Sequence, residues 1–203
     1  MALMRYFLMY NLTKYKISTS NRYNREAVPP AASRGDYMDI LVQKAKRHDS
    51  EAFSQLIHEH TKSMYKVAIA ILKNEEDAAD AIQDTILSCW EKIHTLKKDE
   101  FFKTWLIRIL INHCNAIYRQ RAYFVPEGEV AEQMIMENGF LNVEWQEMLH
   151  NLDEKYRTVI VLYYAEGFKV REIAQILDIG ESAVKARLSV AREKMEILYA
   201  EGR

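Results

Sequence analysis

Turn-forming residues are scarce in this chain: three prolines and six glycines stand among 203 residues. With so few turns and long runs of helical periodicity, the sequence points to an all-α protein. Cysteine is scarcer still. Cys89 and Cys114 both lie inside strongly helical patterns, so buried free thiols and a reducing cytoplasm are expected rather than a disulfide framework. Neither sign of charge is in excess. With 28 basic and 29 acidic residues the formal net charge is −1, which excludes a generally basic nucleic-acid coat and leaves any DNA affinity to local patches. No long apolar run occurs either: Leu3 to Leu12 is too short to span a bilayer and lacks a small-residue cleavage pattern.

Catalytic signatures are missing too. There is no His-Glu-x-x-His, no Cys-x-x-Cys and no glycine-rich phosphate loop. His58 and His60 are two apart, so on a helix they point to opposite sides. His113 and Cys114 are adjacent and diverge. No catalytic residue, metal site, cofactor or small-molecule substrate is therefore expected.

What is there falls into sections. Leu3–Leu12 is followed by a Tyr-, Ser- and Asn-rich run to Asn24 and then Val28-Pro29-Pro30. Residues 1–37 read as a disordered or dispensable extension, with Met38 a plausible start; a membrane-surface anchor is the other reading. From Asp39 to Arg121 the pattern predicts four helices. A short one covers Ile40 to Arg47. The next, Glu51 to Leu72, carries an inward stripe of Phe53, Leu56, Ile57, His60, Met64, Val67, Ala68 and Ile71. Asn74 is placed to cap a third helix, with Glu75, Glu76 and Asp77 in its first turn. Its expected seam is Ala79, Ile82, Ile86, Cys89 and Ile93, while Asp77, Asp80 and Asp84 recur at spacings of three and four with Gln83 and Leu87 beside them. That face is either simply solvated or an acidic docking ridge for a basic partner helix.

The fourth helix, about Phe101 to Arg121, mixes apolar and basic character. Phe102, Trp105, Leu106, Ile109 and Ala116 are expected inward, and Arg108, Asn115 and Arg119 along another side. Asn112 falls on the apolar side and is expected to be buried and hydrogen-bonded. A polar loop with Lys97 and Lys98 precedes this helix. Basic residues interleaved with aromatics suit melted DNA, which needs phosphate neutralisation and surfaces for unpaired bases.

Ala122 to Glu154 contains no Lys or Arg but carries Glu127, Glu129, Glu132, Glu137, Glu144 and Glu147. Residues 122–142 read as an acidic linker, with Glu144–Leu149 already in the first helix of a second unit. Lys155 to Glu196 then reads as a helix-turn-helix. One helix has Ile173, Ala174 and Leu177 on a common face, and a sharp turn follows at Asp178-Ile179-Gly180, where Gly180 is free to take positive φ. A second helix, opened by Glu181 or Ser182, has the inward stripe Val184, Leu188, Ala191, Met195 and Leu198. This leaves Ser182, Lys185, Ser189 and Arg192 exposed, a small and basic face suited to the major groove.

Taken together, Lys73-Asn-Glu-Glu-Asp-Ala-Ala-Asp-Ala-Ile-Gln-Asp-Thr-Ile-Leu-Ser-Cys-Trp, Phe102-Lys-Thr-Trp-Leu-Ile-Arg-Ile-Leu-Ile-Asn, Leu152-Asp-Glu-Lys-Tyr-Arg-Thr-Val-Ile-Val-Leu-Tyr-Tyr and the helix-turn-helix resemble the extracytoplasmic-function sigma factors over about residues 38–198. The resemblance implies two small helical domains, region 2 at 38–121 and region 4 at 143–203, joined by a flexible acidic linker at 122–142. It implies an alternative sigma factor that binds core RNA polymerase, at its clamp and flap, and directs promoter-specific initiation. The implied polymerase-binding residues are Asp77, Asp80, Gln83, Asp84 and Leu87. Those for the minus-ten element are Lys97, Lys98, Arg108, Asn115, Tyr118 and Arg119. Those for the minus-thirty-five element are Arg171, Ser182, Lys185, Arg187, Ser189 and Arg192, with Ser182, Lys185 and Ser189 reading base edges and Arg187 and Arg192 on phosphates. An anti-sigma factor is the implied inhibitory partner, and a monomer the free state. Ser182-Ala183 stands where the family shows Gly-Thr, and the run after Asn112 is less basic than usual. The alternatives are a helix-turn-helix regulator acting without polymerase exchange, whose response-regulator form would need an αβ front domain, and a helical adaptor that never touches DNA.

Overall fold

A computed structural model describes residues 34–124 and 149–201. The extension before residue 34 and nearly all of the acidic linker lie outside the described residues. Among the described residues every regular element is helical. The front bundle comprises α1 (Arg34–Lys46), α2 (Ser50–Leu72), α3 (Glu75–Lys92) and α4 (Phe102–Phe124), with short 3-10 turns at Ile93–Thr95 and Asp99–Phe101. The rear unit comprises α5 (Glu154–Ile160), which widens into a π-helical turn at Val161–Ala165, then α6 (Val170–Leu177) and α7 (Glu181–Glu201).

Local chemistry fixes the boundaries. Asp49 caps α2, its Oδ1 accepting from the amides of Glu51 and Ala52 at 3.1 and 3.0 Å. Lys73 ends that helix in the left-handed region at φ 53°, its amide donating to Ile69 O. Asn74 then caps α3 as expected, Oδ1 accepting from the Asp77 amide at 2.9 Å. The first helix begins earlier than its apolar spacing suggested. Arg34 to Asp39 already belong to it, with Tyr37 and Met38 packed on the core and Tyr37 Oη donating to Gln55 Oε1 at 3.3 Å.

Leu56, Met64, Ile82, Leu106, Ile107 and Leu110 are wholly enclosed in the front core, and each such side chain contributes about 1.5–3 kcal/mol of burial. Three seam assignments are corrected. In α3 the buried residues are Asp77, Ala78, Ala81, Ile82, Thr85, Ile86 and Cys89, and Ala79 is only half-buried. In α4 the seam runs through Phe102, Leu106, Ile107, Leu110, Ile111 and Cys114, which leaves Asn112 and Ala116 exposed. The near-continuous apolar run Trp105-Leu-Ile-Arg-Ile-Leu-Ile fits two helical registers, and packing selects the one that turns Asn112 outward. In α6 Ile176 is buried and Leu177 half-buried, because the rear unit closes over the Ile173–Ile176 edge.

The two units are in contact. The last turn of α2 is enclosed on every side, Ala68 through Leu72 all being buried, as happens to a helix covered from two directions. α5 supplies the second cover and α6 packs on α4. Arg157 of α5 is 3% exposed. Its Nη1 donates to Leu152 O at 2.6 Å and its Nε donates to Ala70 O, one of the carbonyls that ends α2. A cation there meets the negative end of the helix dipole, although burial lowers the Arg157 pKa. Lys73 Nζ donates to His150 O at 2.7 Å across the same seam.

Candidate nucleic-acid interface

The rear unit presents its helices as a helix-turn-helix. Glu172 Oε2 accepts from the Lys169 amide at 2.7 Å and so fastens the start of α6. The turn departs from expectation in one respect. Positive φ falls on Asp178, at 55°, and not on Gly180. Asp178 terminates α6 in the left-handed region with its amide on Ala174 O, a conformation a short polar side chain tolerates. Gly180 instead starts α7, its carbonyl accepting from Val184 N at 3.1 Å.

On α7, Val184, Leu188 and Ala191 are buried and Met195 and Leu198 half-buried, the inward stripe expected from spacing. Ser182, Lys185 and Ser189 stand exposed on the opposite side. Arg187 is half-buried, and Arg192, though exposed, is tied sideways: its Nε donates to Tyr164 Oη at 2.8 Å and its guanidinium lies 5.7 Å from that ring. Arg171 is exposed on α6, facing the notch lined by Gln175, Asp178, Gly180 and Glu181.

The front bundle presents two further surfaces. Along α4, Arg108, Asn115 and Arg119 share an exposed stripe that Asn112 completes at spacings of four, three and four. Tyr118 is 50% exposed beside it, and Arg119 Nε donates to Asn115 O at 3.1 Å. Lys97 and Lys98 are exposed in the preceding loop, which is pinned by the buried Leu96. Lys98 Nζ lies 5.6 Å from the Phe101 ring, itself 44% exposed. Asn112 and Phe101 belong to this face and were not expected there; the spacing of Asn112 from Arg108 and Asn115 was the available signal.

The second surface is on α3. Asp80, Asp84 and Leu87 are exposed and Gln83 half-buried, forming a ridge. Asp77 leaves that ridge: it is buried, and its Oδ2 meets Arg121 Nε of α4 at 2.7 Å. Burial pushes its carboxyl pKa up while Arg121 pulls it down. Cys89 and Cys114 are both free and wholly buried, and burial raises each thiol to about 12. His60 is buried with Nδ1 2.8 Å from Leu56 O. Among the described residues no three His, Cys, Asp or Glu side chains converge as metal ligands, and no helix is long and apolar enough to cross a membrane.

An acidic ridge, a basic and aromatic helix face and a helix-turn-helix on one all-helical chain define a DNA-binding transcription protein with more than one partner surface. Comparison with known proteins narrows this class. The model of sigma-70 region 2 matches residues 56–123 and that of sigma-70 region 4 matches residues 142–195, together more than half of the chain. The chain is 28% identical over 157 residues to the RNA polymerase sigma factor SigV of Bacillus subtilis, covering 76% of this chain and 95% of that one. It is 26% identical over 180 residues to the ECF RNA polymerase sigma factor SigW of the same organism, covering 78% and 96%. Among solved structures, the Bartonella quintana sigma factor RpoE, crystallised with the anti-sigma factor NepR, aligns with a TM-score of 0.64 at 25% identity over 75% of this chain and 99% of that one. The chain belongs to the extracytoplasmic-function sigma factors of RNA polymerase. It is an alternative sigma factor, which binds core RNA polymerase and directs promoter-specific initiation. The region 2 match gives the front bundle a role that a plain helix-turn-helix regulator leaves unfilled.

Proposed function

We propose that the chain works as two units, 38–121 and 143–203, joined through 122–142, with one surface for polymerase and two for DNA. The ridge of Asp80, Gln83, Asp84 and Leu87 docks on a basic element of the polymerase clamp, where complementary charge fixes register and speeds encounter. Asp77 contributes indirectly, by anchoring the start of α3 to Arg121. The α4 face, from Lys97 and Lys98 through Arg108, Asn115, Tyr118 and Arg119, takes the melted minus-ten strand. Extruding a base costs a few kcal/mol, which preformed aromatic surface and polymerase binding together offset.

The α7 face reads the minus-thirty-five duplex. Ser182, Lys185 and Ser189 meet base edges; Arg171, Arg187 and Arg192 meet phosphates, where they position without specifying. The observation that carries this is the joint exposure of Ser182, Lys185 and Ser189 on the first turns of the second helix, opposite a buried apolar stripe. The reading gives the protein no catalytic step of its own, a cytoplasmic location and a monomeric free state. Because a similar sigma factor has been crystallised with an anti-sigma factor, an anti-sigma factor is the proposed inhibitory partner here. The extension through residue 37 is dispensable for transcription, although a cut after residue 33 spares the first turn of α1.

Substituting Lys185→Ala tests the edge contact. Loss of about 1–3 kcal/mol of discrimination at one base pair of the minus-thirty-five element is expected, measured by transcription from a set of single-base promoter variants. An equal loss on every variant would make Lys185 a phosphate contact.

A further inference from the structure

Between the two units lies a carboxylate that none of the surfaces above uses. Glu166 follows directly on the π-helical turn, its amide donating to Val161 O at 3.0 Å. Gly167 at φ 73° then reverses the chain, a conformation open to glycine at no steric cost. The Glu166 side chain is 3% exposed and points into the front bundle. There it meets three groups from two helices: Ser63 Oγ donates to Oε2 at 2.5 Å, Lys66 Nζ lies 3.4 Å from Oε1, and Lys103 Nζ lies 3.0 Å from Oε2. Lys103 also donates to the Glu166 carbonyl at 3.0 Å and sits 4.8 Å from the Phe168 ring. A buried carboxylate surrounded by donors from another unit is costly to strip of them, so this cluster selects one docking of the rear unit on the front.

That docking sets the positions of the two DNA faces. With α6 against α4, Asp178 in the turn of the helix-turn-helix lies 3.7 Å from Arg108 on the minus-ten face. Promoter elements centred near minus-ten and minus-thirty-five are about 25 base pairs apart, or roughly 85 Å along B-form DNA at about 3.4 Å per pair. Two readers in contact cannot reach both. We infer that the cluster of Glu166 with Ser63, Lys66 and Lys103 is a clasp that holds the free chain closed, with its two DNA readers together, and must open before both promoter elements are engaged. This consequence rests on the two-reader assignment above; the clasp does not. An apparent affinity that includes opening is lowered by the fraction of molecules already open, so weakening the clasp strengthens engagement.

The experiment uses the full chain with a donor and an acceptor dye at Gln43→Cys on α1 and Glu196→Cys on α7, both exposed positions; the native thiols are buried and stay unlabelled. Glu166→Lys sets a third ammonium against Lys66 and Lys103, and energy transfer should fall by at least half while circular dichroism keeps its helical signal. Glu166→Gln, which keeps the shape, should give a smaller fall, and the pair Lys66→Glu with Glu166→Lys should recover part of the transfer. Unchanged transfer in a helical Glu166→Lys protein, or in Glu166→Gln should the first variant not fold, overturns the clasp. In run-off transcription with limiting core polymerase, Glu166→Lys should reach half-maximal product at roughly a third of the wild-type concentration. An unchanged concentration in an opened variant overturns the inhibitory role. Transcript from neither protein, with transfer still falling, overturns the sigma reading and leaves the clasp standing.

Discussion

The front bundle and the rear unit solve the same packing problem with different means. In front, α2 and α4 each run 23 residues and pack along their length, and Leu56, Met64, Ile71, Leu106 and Leu110 are wholly enclosed. Behind, α5 and α6 have seven and eight residues, and Ile160, Leu162 and Ile173 are the large wholly buried side chains. A unit of about 50 residues buries a smaller fraction of its surface alone than a larger domain does, and is correspondingly marginal. The rear unit adds support by docking, which covers the apolar last turn of α2 and adds polar contacts: Arg157 on a helix-end carbonyl, Lys73 on the His150 carbonyl and Glu166 among lysines. Water can satisfy those groups when the seam opens, whereas it cannot replace the leucine contacts inside the front bundle. The difference suits a protein whose units must each stay folded while their arrangement changes.

The sharpest way to break this comparison is a cavity in each unit. Leu106→Ala should cost about 3 kcal/mol and lower both calorimetric transitions of the full chain, since the rear unit docks on the bundle it weakens. Ile173→Ala should lower the rear transition and leave the front midpoint in place. Equal shifts in both transitions for Ile173→Ala would mean the chain melts as one block, and the comparison would fail.

A smaller effect sharpens it. Cys89 and Cys114 both lie in the front core, and burial raises their thiols from 9.0 to about 12. A folded pKa above the unfolded one makes each contribution full below pH 9 and lost as pH climbs toward 12, about 1 kcal/mol per thiol by pH 10. The front transition should therefore drop between pH 8 and 10 by more than in the double variant Cys89→Ala, Cys114→Ala. The same drop in the double variant would remove the thiols from the account.

Much of this was legible beforehand where local chemistry decides. The cap at Asn74, the α2 stripe and the α7 stripe follow from residue type and helical spacing. The failures have two physical sources. Where apolar residues are nearly continuous, as in Trp105 to Ile111, spacing fits two registers and tertiary packing chooses; hence Asn112 was expected inside and lies on the exposed stripe with Arg108 and Asn115. Where a polar residue finds a distant partner, its periodic position misleads: Asp77 shares the spacing of Asp80 and Asp84 but turns in to Arg121. The clasp at Glu166 was not legible, because its partners are more than sixty positions away.

The most direct measurement is run-off transcription by core RNA polymerase on fragmented DNA of the source organism, with the wild-type chain and with Asp80→Lys, Asp84→Lys. The wild type should yield transcripts that share two upstream motifs at a fixed spacing. The ridge variant should bind core polymerase at least tenfold more weakly, with its transcripts reduced to match, while the DNA affinity of residues 143–203 is untouched. Failure of the wild type to bind core polymerase at all would contradict the central claim.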